Sequence, residues 1–213
     1  MGHYVITIAR QYGSCGRVVG EILAKELGIS YYDKDIIRLA SEDSGVHEKL
    51  FGRVDEYSLE KLPFFIRNRV YSGELLSPGS KDFTSDDNLF SYQAKIIRHL
   101  AQRESCVIIG RCSNYILSDM PNVLRVFIYA DWEFRLQKAA EKLSMNRKEL
   151  EKFLQKDDKR KEEYCLHFTG KEWTDATQYD LCLDVSRLGF DGCIKEIIRN
   201  LPDAAEEETD GSV

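Results

Sequence analysis

The stretch from Ile6 to Gly28, ITIARQYGSCGRVVGEILAKELG, constrains the fold more than any other part of the chain. A short apolar run leads into a turn holding Gly13 and Gly16, and the turn leads into an amphipathic helix from Arg17 to Leu27. α/β proteins build phosphate sites in this order, because the turn aims backbone N–H groups at an anion on the helix N-terminus. The glycines remove Cβ atoms that would block close approach, and Arg17 stands in the first helical turn. Registered on the phosphate-loop pattern G-x-x-x-x-G-K-[ST], the chain places Gln11 at the first glycine, Arg17 at the lysine and Val18 at the hydroxyl residue. Arg17 keeps the charge but presents a planar fork, and Val18 has no hydroxyl for magnesium. Two readings stay open: a phosphate loop, with Gly13, Ser14, Cys15, Gly16, Arg17 and Val18 around the anion, or a β-turn-α joint whose glycines serve tight packing. The dinucleotide pattern G-x-G-x-x-G fits worse, since Ser14 and Cys15 separate the glycines.

Strand-like runs recur downstream at Ile29–Tyr32, Cys106–Ile109, Val123–Tyr129 and Leu181–Val185. Helical patterns fill the gaps: Asp35–Glu42, Leu89–Arg103, Trp132–Leu143, Arg147–Glu163 and Asp191–Leu201. This alternation predicts an α/β fold with a mainly parallel five-stranded sheet covered by helices on both faces. Asn146 with Glu149 forms a capping-box signature, and Gly28 sits where a helix C-cap belongs. The stretch Glu60–Asn88, with Pro63, Pro78, Gly73 and Gly79, reads as an inserted, partly irregular segment, either an acceptor-side cover or an oligomer contact. The tail from Asp203 is acidic and lacks aromatics, the composition of a disordered segment. Residues 1–202 therefore read as one domain, with residues 203–213 as a tail.

The bulk properties narrow the function. A chain of 213 residues with a formal net charge of −6 suits a single α/β domain and argues against a general nucleic-acid binder. No apolar run approaches the roughly 20 residues that cross a bilayer. The N-terminus enters a strand directly, so no signal peptide is expected and the simple expectation is a cytoplasmic protein without membrane partners. The six cysteines form no C-x-x-C pair, which argues against structural zinc. Cys106 and Cys182 lie in apolar runs and read as small interior hydrophobes. A thiol at position 15, at a helix N-terminus beside Arg17, has the setting of an acidic, oxidisable cysteine, or simply of a small residue filling the turn.

In open α/β sheets the ligand crevice lies at the C-terminal ends of the strands. Arg10 to Arg17, Asp33, Gly110-Arg111 and Asp131 all fall at such ends. Arg111, just past a buried strand, can set a bidentate fork on a phosphate, or be a surface arginine at a joint. Asp33 could hold an acceptor hydroxyl or base edge, but before a helix it also reads as a plain N-cap, and Asp131 as the same device. The run Lys156-Asp157-Asp158-Lys159-Arg160-Lys161 closes a long helix. It reads as a solvated face, or as a mobile basic segment closing over a triphosphate. His3, His47, His99 and His167 form no ligand or triad spacing.

The segments RQYGSCGRVVG, YYDKDII, CVIIGRCSNYIL, NVLRVFIYA, DDKRKEEY and TGKEW…YDLCLDVSRLG, in one unbroken order from about Val5 to Ile198, resemble the cytidylate kinase-like family. The resemblance implies a P-loop fold of the nucleoside monophosphate kinase type, with an acceptor cover over about residues 43–90 and a lid over about 156–175. It places Gly13, Ser14, Gly16 and Arg17 on the phosphate loop and Arg111 on the acceptor phosphate. Lys156, Asp158, Lys159 and Arg160 fall on the lid, and Asp33 near the acceptor pocket. It implies ATP as phosphoryl donor, Mg²⁺ carried mainly by nucleotide phosphates and water, and small nucleotides as partners, with a homo-oligomer left open. Arg17 would hold the β/γ-phosphates, while Lys159 and Arg160 would stabilise the transition state. The chain departs from authentic cytidylate kinases at the arginine in place of the loop lysine and at Val18. A catalytically silent nucleotide sensor is the competing reading.

Overall fold

The computed structural model describes residues 3–56 and 71–202. β1 (Val5–Arg10) is followed by α1 (Gly16–Leu27), β2 (Ser30–Tyr32), α2 (Asp35–Ser44) and α3 (Glu48–Phe51). Then come α4 (Asp86–Arg103), β3 (Cys106–Ile109), α5 (Ser113–Ile116), β4 (Val123–Tyr129), α6 (Trp132–Ala140) and α7 (Arg147–Thr169). A 3₁₀ turn at Ala176–Gln178 precedes β5 (Leu181–Asp184) and α8 (Val185–Arg199). The five strands form one parallel sheet in the order β2-β3-β1-β4-β5, as the strand-helix alternation predicts.

β1 lies at the centre, with Ile6 opposite Val107 of β3 on one side and Leu124 of β4 on the other. All six of its residues are buried, because each face of the sheet carries a helical layer. Side chains alternate across a strand, so Ile6 and Ile8 enter one layer with Val19, Leu23, Ile194 and Ile197. Val5 and Ala9 enter the other with Leu89, Phe90, Ile97 and Phe168. Each fully buried Ile, Leu or Val is worth about 1.5–3 kcal/mol. A polar substitution at Ile6 or Ile8 would therefore strike the sheet where both neighbouring strands meet it.

The expected caps are present. Gly28 ends α1 in the left-handed region, with φ 66°. Asp131 accepts from Phe134 N at 2.8 Å. Asn146 and Glu149 form the reciprocal capping box of α7, at 3.1 and 2.9 Å. Three expectations are corrected. α7 runs past Glu163 to Thr169, because Tyr164, Cys165 and Phe168 are apolar and buried and Phe168 stacks on Phe90 at 4.2 Å; the charge run lies in mid-helix rather than at its close. Cys106 is buried, but Cys182 is exposed on the edge strand β5. Asp33 is not an N-cap: that position of α2 belongs to Lys34, which makes no side-chain cap bond.

Of the segment Glu60–Asn88, residues 60–70 lie outside the described residues, as does the tail 203–213. Residues 71–85 are irregular, and Asp86 to Asn88 open α4 under a Ser85 cap. Among the described residues no helix is long and apolar enough to cross a membrane.

Candidate active site

The central strand delivers Arg10 to the sheet's C-terminal edge, and the loop Gln11–Cys15 turns the chain into α1. Gly13 has φ +79° and Cys15 φ +60°, and Ser14 Oγ donates to Gln11 O at 2.9 Å. A Cβ on Gly13 would lie 2.5 Å from the Arg135 carbonyl oxygen, and one on Gly16 2.6 Å from Arg10 Cβ. The packing role foreseen for the glycines is therefore present. The same loop also borders a cavity of about 160 Å³, lined by Arg10, Arg17, Lys138, Lys142 and Lys161. The helical ladder of α1 begins at Val19 N→Cys15 O, 3.1 Å, so the N–H groups of Gly16, Arg17 and Val18 precede it at the cavity wall. Helix-end N–H groups and converging cations form an anion site. Of the two readings of Cys15, the surroundings favour the small residue filling the turn over the acidic thiol: burial pushes the thiol up, outweighing Lys142 and Lys138.

Beside this cavity a chain of ion pairs runs into the protein. Arg17, 42% exposed, pairs with the buried Asp33. Arg111 reaches Asp33 at 3.2 Å and Asp55 at 3.3 Å, and its backbone N–H donates to Glu56 Oε2 at 3.2 Å. Arg10 pairs with Glu56 at 2.7 Å. From α7, Lys161 bonds Asp157 at 2.7 Å and the Arg10 carbonyl at 3.2 Å. Arg160 donates to the Glu56 carbonyl at 2.8 Å and pairs with Asp157. Arg135 binds the Tyr12 carbonyl and both Asp158 oxygens, each at 2.8 Å.

Burial sets much of the electrostatics. It pushes the Asp55 carboxyl up to about 6 against the pull of Arg111. Burial works in the same direction on Glu56, but Arg10, Arg111 and Lys161 together hold that carboxyl below the usual carboxylate range. Burial and the Arg10 charge lower the Lys161 ammonium. Three successive residues, Gly110, Arg111 and Cys112, have φ of 67°, 55° and 53°. This left-handed turn aims the Arg111 guanidinium back toward Asp33 and the β3 carbonyl of Ile109.

The structure brings Arg17, Asp33 and Arg111 together, and Asp158 and Arg160 face the same region from α7. Lys156 is exposed, and Lys159 is 74% exposed on the outer face, 3.7 Å from Glu163. Sequence reasoning missed Asp55, Glu56, Arg135, Lys138 and Lys142, and named Arg10, Asp157 and Lys161 only as members of longer runs. The i,i+4 pair Asp157–Lys161 carried a detectable spacing. Asp55 and Glu56 follow a four-residue helix without periodicity and gave no signal. Among the described residues no group of three or more His, Cys, Asp or Glu is arranged to hold a metal ion. Val18 offers no hydroxyl to one, and the cations lining the cavity by the loop fit an anionic group such as a phosphate.

Residues 5–187 match the model of the cytidylate kinase-like family. A crystal structure of an uncharacterized protein from Eubacterium ventriosum is 25% identical, with TM-score 0.67, covering 93% of this chain and 98% of that one. Shikimate kinase from Bacteroides thetaiotaomicron is similar in fold, at 11% identity and TM-score 0.52, covering 92% and 97%. TT1252 from Thermus thermophilus, at 15% identity and TM-score 0.50, covers 94% and 99%. Among curated protein sequences none matches the chain significantly.

Proposed function

This chain belongs to the cytidylate kinase-like family, and on that premise we propose that it transfers the γ-phosphoryl group of ATP to a small acceptor, a nucleoside monophosphate or a related metabolite. Family and fold point to phosphoryl transfer of the P-loop kinase type. The observation that carries the donor half is the basic cavity at the first turn of α1, lined by Arg10, Arg17, Lys138, Lys142 and Lys161.

In this reading the loop amides and Arg17 hold the β- and γ-phosphates, with Lys138 and Lys142 adding positive charge at the rim. Arg111 and Asp33 orient the acceptor side. Arg160 on α7, which reaches the Glu56 carbonyl, is the group to neutralise charge on the transferred phosphoryl, whereas Lys159 stands on the outer face. Bound Mg²⁺ supplies further charge neutralisation on the phosphates. Catalysis of this kind rests on positioning and electrostatics rather than on a covalent residue.

The test is phosphoryl transfer from ATP–Mg²⁺ to a panel of small acceptors, with Arg17→Ala alongside. Loss of one preorganised cationic contact is worth about 10²–10³ in turnover, and Arg17→Ala should show that loss with its melting temperature little changed. Near-normal turnover in the variant would remove Arg17 from the role. Nucleotide binding by the wild type without any transfer or hydrolysis would favour the silent sensor, whose support is the pairing of Arg17 with Asp33 and the valine at position 18.

A further inference from the structure

Three lysines line the cavity beside the loop, and they differ in burial. Lys138 is held to Glu141 at 2.7 Å near the end of α6, and Lys142, just past that helix, is exposed. Water and salt screen such charges. Lys161 comes from α7, and its side chain is only 4% exposed. Its Nζ donates to the Arg10 carbonyl at 3.2 Å, where β1 gives way to the loop, and lies 2.7 Å from Asp157 Oδ2. The same nitrogen stands over the Trp173 ring, 5.6 Å from its centroid. An ammonium has three donors. Among the described residues, the Arg10 carbonyl and Asp157 take two of them, which leaves one for a ligand in the cavity that Lys161 lines. Asp157 does not cancel the charge, because it also pairs with Arg160. Two cations share one carboxylate, and the group is net positive.

A buried ion pair gives a fold little stability beyond what well-packed apolar residues would give, so a buried lysine bordering a cavity points to a ligand. The loop supplies the reason for it. Ordinary phosphate loops carry a lysine in the first turn of their helix, and it reaches the β- and γ-phosphates. Here Arg17 holds that position, and its guanidinium is drawn to Asp33, beyond the end of β2 and beside Arg111. Resting on the kinase reading above, we propose that Lys161 supplies from α7 the lysine that the loop's own helix lacks, and binds the donor's terminal phosphates beside Arg17. A compact ammonium suits the position, since it is a point charge with rotatable donors. In its buried setting it attracts an anion more strongly than the rim lysines do. The Arg10 carbonyl and Asp157 hold it in place while its third N–H turns to the phosphate. The donor site is then complete only while α7 lies against the end of β1.

Calorimetric titration of the intact protein with ATP and with inorganic tripolyphosphate reads this contact without knowledge of the acceptor. Lys161→Met keeps an unbranched side chain and removes the charge. It should weaken both ligands about 10–10²-fold, the worth of one hydrogen bond to a charged group. The loss should be the same for tripolyphosphate as for ATP, because the contact is to phosphate alone. Lys195→Met, at an exposed position of α8, removes the same charge from the surface and should leave both affinities within about twofold. Wild-type affinity in a folded Lys161→Met would overturn the assignment, and so would a loss confined to ATP, which would set the lysine at the base or ribose. Lys161→Met leaves the buried Asp157 with Arg160 alone. Where it does not fold, Lys161→Met/Asp157→Asn removes both charges and carries the same expectation and the same refutation. A wild type that binds neither ligand would overturn the kinase reading itself, whereas binding by the wild type and the variants alike would remove Lys161 only.

Discussion

Gly13→Ala tests the loop architecture directly. Gly13 has φ +79°, a conformation that costs an L-residue about 1–2 kcal/mol. The added Cβ would also lie 2.5 Å from the Arg135 carbonyl oxygen and 2.9 Å from its Cα. Those are backbone atoms, so no side-chain rotation relieves the contact, and α6 must move away from the loop. Overpacking of this kind costs about 1–3 kcal/mol. The movement pulls on the Arg135 bonds to the Tyr12 carbonyl and Asp158. The two terms give about 2–5 kcal/mol, which for a chain of this size lowers the melting temperature by about 5–15 °C. Gly45→Ala is the control: Gly45 has φ +71° but open space around a Cβ, so it incurs the conformational cost alone, about 3–6 °C. Both variants are followed by thermal unfolding and by ATP binding. Melting of Gly13→Ala within about 2 °C of Gly45→Ala would refute the argument that the loop is seated on the Arg135 backbone.

Arg111→Ala leaves Asp33 and Asp55 as buried charges without their shared guanidinium and should cost about 3–5 kcal/mol, read by urea denaturation at pH 7.5; wild-type stability would rule out that role. Asp55 has a folded pKa raised to about 6, so the folded state holds its proton more tightly than the unfolded chain. Its contribution is full below about pH 4 and is lost as pH rises through 6; Asp55→Asn should remove that decline from a pH series of unfolding curves. Thiol titration of the native protein near pH 7 should label Cys182 first, because it is exposed. Cys15 should react slowly, because burial holds its thiol protonated; rapid labelling of Cys15 would contradict its described surroundings.

The fold was legible because its inner strands β1 and β3 are buried throughout and read as apolar runs, and because the joints carry local chemistry: Gly28, Asp131 and Asn146 with Glu149 all act as caps at the predicted places. The end of α7 was not legible. The residues beyond Glu163 are held helical by a tertiary contact, the Phe90–Phe168 stack, that no local pattern reveals. Arg17, Asp33 and Arg111 could be nominated because they sit at strand ends, where topology concentrates ligand contacts. Their partners could not. Asp55 and Glu56 join the candidate site only through pairing across long sequence separations with Arg111 and Arg10. Asp33 shows the limit of local rules: its sequence position fits a helix cap, and two arginines from elsewhere claim it instead.

The strand order has a consequence for synthesis. β1 is made first, yet both of its neighbours come much later in the chain, β3 from residue 106 and β4 from residue 123. At about 5–20 residues per second, the ribosome needs on the order of 5–20 s more before the first pairing partner exists. For that interval VITIA is an apolar strand with both edges open, the form of chain most prone to pair with the wrong partner. The loop Gln11–Cys15 that follows it has no floor until β4 closes the other side. The nascent chain therefore depends on a late event, the arrival of residues 106–129, to cover β1. A ribosome-bound chaperone occupying β1 until then would raise the yield of this chain more than that of a fold whose first two strands pair with each other.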